Sequence, residues 1–123
     1  MKLIKMGVEQ VIKGIRDGTI GIEEVRRAYQ MRALDVAVEA NYIAEICTTI
    51  DMITGRSNVE KVKPEYSLYG VTFSVADWID MNGFDSTCGF ANRCVKPSSE
   101  DAVVIRALRD NLMATPLFRS SVN

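Results

Sequence analysis

Arg106 and Arg109 stand three residues apart, a spacing that puts both guanidinium groups on one face if the segment is helical. Two such groups can clamp a phosphate or pyrophosphate through paired N–H donors. The bland reading of the same pair is two solvated arginines matched to Asp101 or Asp110. A second concentration of chemistry lies between Phe84 and Lys96. Phe84 and Phe90 can stack on a planar base, Asn92 can read the edge of an adenine, and Arg93 or Lys96 can supply charge. Gly83 and Gly89 let the backbone approach a ligand closely. The competing reading makes the two aromatics small core plugs. Arg56, just beyond Gly55, is either a third phosphate contact or a cation at the negative end of a helix.

Covalent and acid–base chemistry find less material. The sequence holds no histidine, which removes Ser-His and Cys-His pairs, histidine general bases and the commonest zinc ligand sets. Cys88 and Cys94 are too far apart for a C-x-x-C half-site, so no metal is expected. Cys47 lies in an apolar run and reads as packing. Asp77 and Asp80 form an acidic pair of a kind common on surfaces. No P-loop or dinucleotide fingerprint occurs. The residues therefore point to binding without catalysis, with no cofactor and no enzymatic role.

The elements that must position these residues follow from periodicity. Val8, Val11, Ile12 and Ile15 predict a short amphipathic helix over 8–17, closed by Asp17-Gly18-Thr19. A second helix is predicted from Ile22 to about Ile53, free of proline and glycine and stopped at Gly55. From Leu34 onward its apolar residues surround the axis, and a helix apolar all round must be buried all round. A small domain has difficulty covering such a helix alone, which predicts a homodimer or higher homo-oligomer; the alternative is a central helix covered by its own chain. The alternating run from Tyr66 to Val75 predicts a strand, with a bulge or close approach at Gly70. A short helical turn through Trp78 and Ile79 should follow. An irregular segment from Phe84 to Pro97 leads to a last helix with its stripe at Val104, Ile105, Leu108 and Leu112, limited by Pro116. The tail from Arg119 to Asn123 should fray. The fold class expected is α+β: a long central helix and shorter helices on a small antiparallel sheet, in one domain spanning 1–123.

Fifteen Lys and Arg against sixteen Asp and Glu give a net charge of -1, which disfavours coating of duplex nucleic acid. No apolar run approaches the roughly 20 residues of a membrane span, and no signal peptide is evident. Three widely spaced cysteines suit reduced thiols in a cytoplasm.

The long apolar helix ending in Thr54-Gly55-Arg56-Ser57-Asn58, the aromatic, Asn-bearing loop from Phe84 to Arg93, and the closing helix with Arg106 and Arg109 together resemble the phage Thoeris anti-defence sponges. That resemblance spans most of the chain in layout but carries no strict motif. It implies a phage protein in the host bacterial cytoplasm that captures a cyclic ADP-ribose isomer without degrading it. Its pockets would lie between protomers, and some members also bind cyclic oligonucleotides. It carries over Asn92, Arg109 and Arg56 as signal contacts, with Phe84 and Phe90 competing for the stacking role. A phage inhibitor that binds a host polymerase or nuclease is the alternative, and a purely structural assembly subunit a third.

Overall fold

The computed structural model describes residues 3–47 and 66–121. A single 3-10 turn, Leu3–Lys5, precedes helix α1, Val8–Asp17. The Gln10 side chain accepts the Gly7 N–H at 3.2 Å and satisfies one of the orphan donors at the start of α1. Gly18 ends it at φ 78°, the left-handed conformation that glycine adopts without steric penalty. Helix α2 runs from Ile22 to Ala40, followed by strand β1, Ile43–Ile46. Strand β2 is Thr72–Ala76, a 3-10 turn occupies Ala91–Arg93, and helix α3 is Val103–Arg106. A π-helical turn, Ala107–Asn111, continues α3, and strand β3, Thr115–Ser120, closes the described fold.

The predicted helix over 22–53 is corrected here. Asn41 takes φ 47° and ψ 47° and donates its N–H to the Ala37 carbonyl at 2.8 Å, which closes α2. Asparagine tolerates this left-handed geometry because its short polar side chain compensates locally. The chain then reverses and Ile43–Ile46 pairs with β3, so the run of isoleucine and alanine beyond Asn41 is strand and not helix. The remainder of the expected helix, from Thr48, lies outside the described residues, as does Arg56. With the all-round apolar helix gone, the argument for an oligomer built on it loses its premise. Met31, Leu34 and Val38 are nevertheless exposed on α2, Val38 at 89%.

The sheet is mixed where an antiparallel one was expected. Its order is β1-β3-β2, with β1 antiparallel and β2 parallel to the central β3. The parallel pair forces a long crossover from the end of β2 back to the start of β3. That crossover carries the loop 84–98 and α3. The strand predicted over Tyr66–Val75 begins only at Thr72, after a turn in which Gly70 sits at φ 79°.

The last segment is the largest departure from expectation. The predicted last helix, with its stripe at Val104, Ile105, Leu108 and Leu112, is short, and Met113 at φ 60° turns the chain into β3. Residues expected to fray include Arg119, which is 1% exposed within β3. A terminal segment orders when it is tied into a sheet, and here it forms the middle strand. Pro116 pairs with Phe73 just before the β2–β3 register slips between Phe73 and Ser74, and an irregular ladder of this kind tolerates a residue without an N–H.

Two apolar clusters hold these layers. Val11, Ile15, Val25 and Tyr69 join α1 and α2 to the turn before β2, with Ile20, Tyr29 and Met113 packed around them. Cys47, Val75, Met81, Phe84 and Ile105 form the second, joining the sheet to the crossover. No helix among the described residues is long and apolar enough to cross a membrane.

Candidate functional site

The polar groups with the strongest constraints meet where β2 and β3 end. Asp77 follows β2, and its N–H donates to the Ser120 carbonyl at 3.0 Å. Its carboxylate is buried and accepts the Thr87 N–H at 3.4 Å and the Thr87 hydroxyl. The Arg119 guanidinium lies 3.7 Å away, beyond hydrogen-bond range. None of its three nitrogens has a hydrogen-bond partner among the described residues. A buried cation with so little compensation is costly, and a single carboxylate must offset it. This pair anchors the start of the crossover to the central strand, which fixes where the loop 84–98 leaves the sheet.

Cys47 sits behind the same strands and donates its backbone N–H to Leu117 at 3.0 Å. Burial pushes its thiol up to about 11, against the opposing pull of Arg119 and Arg109 and with a push from Glu45. A thiol held protonated in this way is a poor nucleophile near neutral pH. The Arg93 Nη1 donates to the Cys88 sulfur at 3.3 Å.

The six residues singled out for ligand contact are not gathered into one place. Phe84 takes the core-plug role, 6% exposed in the cluster with Met81 and Ile105. Phe90 is exposed at 63%, and Asn92 is exposed two residues on, in the 3-10 turn. These two share a stretch of surface. Arg106 is exposed on α3, whereas Arg109 lies in the π-helical turn and spans both Asp101 oxygens at 3.3 and 3.4 Å. The predicted shared helical face of Arg106 and Arg109 is corrected by that turn, whose wider winding breaks the three-residue alignment. Arg56 is outside the described residues. Arg119, expected only as the start of a frayed tail, is the functional residue that the sequence did not disclose, and its one signal is that it directly follows the apolar run Pro116-Leu117-Phe118.

Cavities of a size to hold small molecules include a groove of about 420 Å³ beside α1, lined by Met6, Gln10, Lys13 and Ile20 among others, and two further ones. One, of about 240 Å³, opens between α1, α2 and the sheet and is apolar, lined by Val8, Val11, Val25, Tyr29, Phe73 and Leu117 among others. The other is polar and lies in the crossover loop. Among the described residues, no three His, Cys, Asp or Glu side chains gather in a way that could hold a metal ion.

The architecture is thus an α+β unit: two helices against a mixed three-stranded sheet whose parallel pair is linked by a loop-bearing crossover. The same unit occurs in amidase-family structures. It superposes on a protein from Bacillus anthracis described as an amidase family protein, with a TM-score of 0.74 and 20% identity over 97% of this chain. An inhibitor-bound complex, described as a vestigial protein complex that reveals the evolutionary origins of an s-triazine catabolic enzyme, gives a TM-score of 0.77 and 22% identity over 96% of this chain. At these identities the likeness establishes the fold alone.

Curated proteins are similar to the chain in sequence. Vitamin D3 hydroxylase-associated protein of Gallus gallus is 26% identical over 124 residues, covering 98% of this chain. Amidase 2 of Gibberella moniliformis is 27% identical over 100 residues and 77% of this chain. The chain spans 25% and 19% of those two proteins, and 24% and 26% of the two structures. No family model matches it. These findings overturn the expectation of a non-enzymatic protein: the proteins whose sequence and fold this chain shares include enzymes named as amidases. The absence of histidine, on which that expectation leaned, excludes histidine-dependent sites only.

Proposed function

We propose that this chain is one structural unit of an amidase-type hydrolase, and that the protein built on it cleaves a carboxylic amide to a carboxylate and ammonia or an amine. The observation that carries the reading is the correspondence of 97% of the chain to 24% of an amidase family protein. Two features of the unit fit a body that packs against more polypeptide. Leu34, Val38, Val103 and Val104 are exposed on α2 and α3, and exposed apolar surface of this kind marks an interaction face. Arg109 and Arg119 carry buried N–H groups without partners among the described residues, and buried donors are nearly always satisfied in a finished structure.

Amide hydrolysis needs a nucleophile, a group that takes and returns its proton, and donors for the oxyanion. The unit's part is positional. The Asp77–Thr87 bonds and the Arg119–Asp77 pair hold the crossover loop at the strand ends, where ligands commonly bind in sheets with parallel strands. The nucleophile is assigned to the three quarters of the amidase fold that this chain does not span. The cyclic ADP-ribose reading draws less support, because Phe84 is buried and Arg109 is engaged by Asp101.

The test is release of ammonia by the natural polypeptide that carries this chain, on primary amides with short, aromatic and long-chain acyl groups. Equimolar carboxylate and ammonia from at least one of the three is the expected result. No release from any of them would overturn the proposal.

A further inference from the structure

The polar cavity in the crossover loop has a volume of about 250 Å³ and is lined by Asp80, Ser86, Arg93, Lys96 and Ser98. That is slightly below the range of pockets for drug-sized ligands, about 300 Å³ upward, so its occupant must be small. The walls are held firmly. Ser98 donates its N–H to the Phe84 carbonyl at 2.9 Å and accepts the Gly83 N–H on its own carbonyl at 2.9 Å. Ser86 is buried at 9%. Arg93 is steadied by the bond from its Nη1 to the Cys88 sulfur. Between the two cations, Val95 adopts φ 58°, a conformation that a β-branched residue resists. The Asp85 carboxylate holds it there by accepting its N–H at 2.6 Å. Strain of this sort persists where the surroundings enforce it, and it concentrates at ligand sites. Here it shapes the turn that joins Arg93 to Lys96.

The hydrogen-bonding capacity of the pocket is divided. Ser98 Oγ donates to Asp80 Oδ1 at 3.3 Å, and Ser86 Oγ reaches the Ile79 carbonyl at 3.5 Å. The two hydroxyls also lie 3.5 Å apart; with their protons committed to Asp80 and Ile79, their remaining lone pairs are open to an occupant, and so is the rest of the Asp80 carboxylate. Arg93 and Lys96 offer cationic donors. An oxyanion alone would meet Asp80 as a like charge. A molecule that pairs a carboxylate with a neighbouring N–H satisfies both halves. We propose that this pocket binds a small ligand carrying a carboxylate with an adjacent N–H donor, the group presented by a free or an N-acylated amino acid. The site is separate from the amide-hydrolysis proposal and does not depend on it.

Acetate, glycine and N-acetylglycine distinguish the elements of this proposal when titrated into the 123-residue chain while its backbone amide signals are followed by NMR. Glycine, N-acetylglycine or both should shift Ser86, Arg93, Lys96 and Ser98 and bind more tightly than acetate; which of the two binds better identifies the source. Arg93→Gln combined with Lys96→Gln should weaken binding about tenfold, the worth of one charged hydrogen bond. Asp80→Ala should remove the advantage over acetate while leaving acetate bound. Lys96→Gln alone, at an exposed position, must also weaken binding and serves if the double variant does not fold. Absence of shifts at those four residues, acetate binding as well as both N–H probes, or undiminished binding by Lys96→Gln would each overturn the proposal.

Discussion

At the scale of single residues, the energetics turn on how buried charge is compensated. Asp77 has Thr87 as well as Arg119, whereas Arg119 has Asp77 alone among the described residues. Removing one partner of a buried pair commonly costs about 3–5 kcal/mol, because the other charge is left in a medium that cannot solvate it. The two ends of this pair should therefore differ. Asp77→Ala strands a guanidinium and should fall in that range, while Arg119→Met leaves a carboxylate with two donors and should cost less. Urea denaturation of both variants measures the difference, and equal losses would contradict it.

Cys47 gives a residue-level pH dependence. Its thiol is raised from 9.0 to about 11 by burial. Below pH 9 both folded and unfolded chains keep it protonated, so its contribution is constant. Between pH 9 and 11 the unfolded chain releases the proton while the folded chain retains it, so stability falls as pH rises. Burial raises the Tyr69 hydroxyl in the same direction. The fall in melting temperature over this window should be shallower in Cys47→Ala than in the unaltered protein.

At the scale of elements, two glycine substitutions separate the structure from the simpler sequence pattern. If α2 continued past residue 41, Asn41→Gly would introduce a helix-interior glycine at a cost of several tenths of a kcal/mol. Asn41 instead caps the helix at φ 47°, so the change should be neutral or stabilising by a few tenths of a kcal/mol. Gly70→Ala should behave oppositely. At φ 79° an added Cβ meets Ile22 Cγ2 at 2.5 Å and Ile15 Cδ1 at 2.8 Å, which joins backbone strain to overpacking. A loss of about 2 kcal/mol or more is expected, and thermal unfolding of the two variants checks the pair.

Helix α1 was legible because its apolar spacing and the Gly18 stop agree with the burial of Val11 and Ile15, while Val8 on the same stripe is exposed at 57%. The 22–53 segment was not. Ile43 to Ile46 has residues that suit a strand or a helix equally well, and only pairing with β3 decides between them. The candidate ligand residues show the same limit. Loop position made Phe84 and Phe90 equivalent, and packing separated them into a core ring and an exposed one.

For the whole molecule, the two apolar clusters account for compactness, while several large apolar side chains stay exposed. Val38 at 89% and Val103 at 82% touch little within the chain. Replacing either with serine should change the stability of the isolated chain by less than about 0.5 kcal/mol. Under the proposal that the chain is one unit of a longer amidase-type polypeptide, the same replacements should reduce the solubility advantage of that longer form, measured as soluble yield of the two forms. A chain that already buried these valines would lose stability in the first measurement.

The amino-acid sequence alone determined the α+β character, the first helix, the want of a membrane-length helix in the described part and the loop-like nature of 84–97. Those follow from composition and from contacts between near neighbours. The end of α2, the mixed sheet, the burial of Arg119 in a central strand and the convergence of Asp80, Ser86, Arg93, Lys96 and Ser98 were decided by tertiary structure. Each depends on partners far apart along the chain, and pairing and solvation energies between such partners leave no periodic mark in the order of residues.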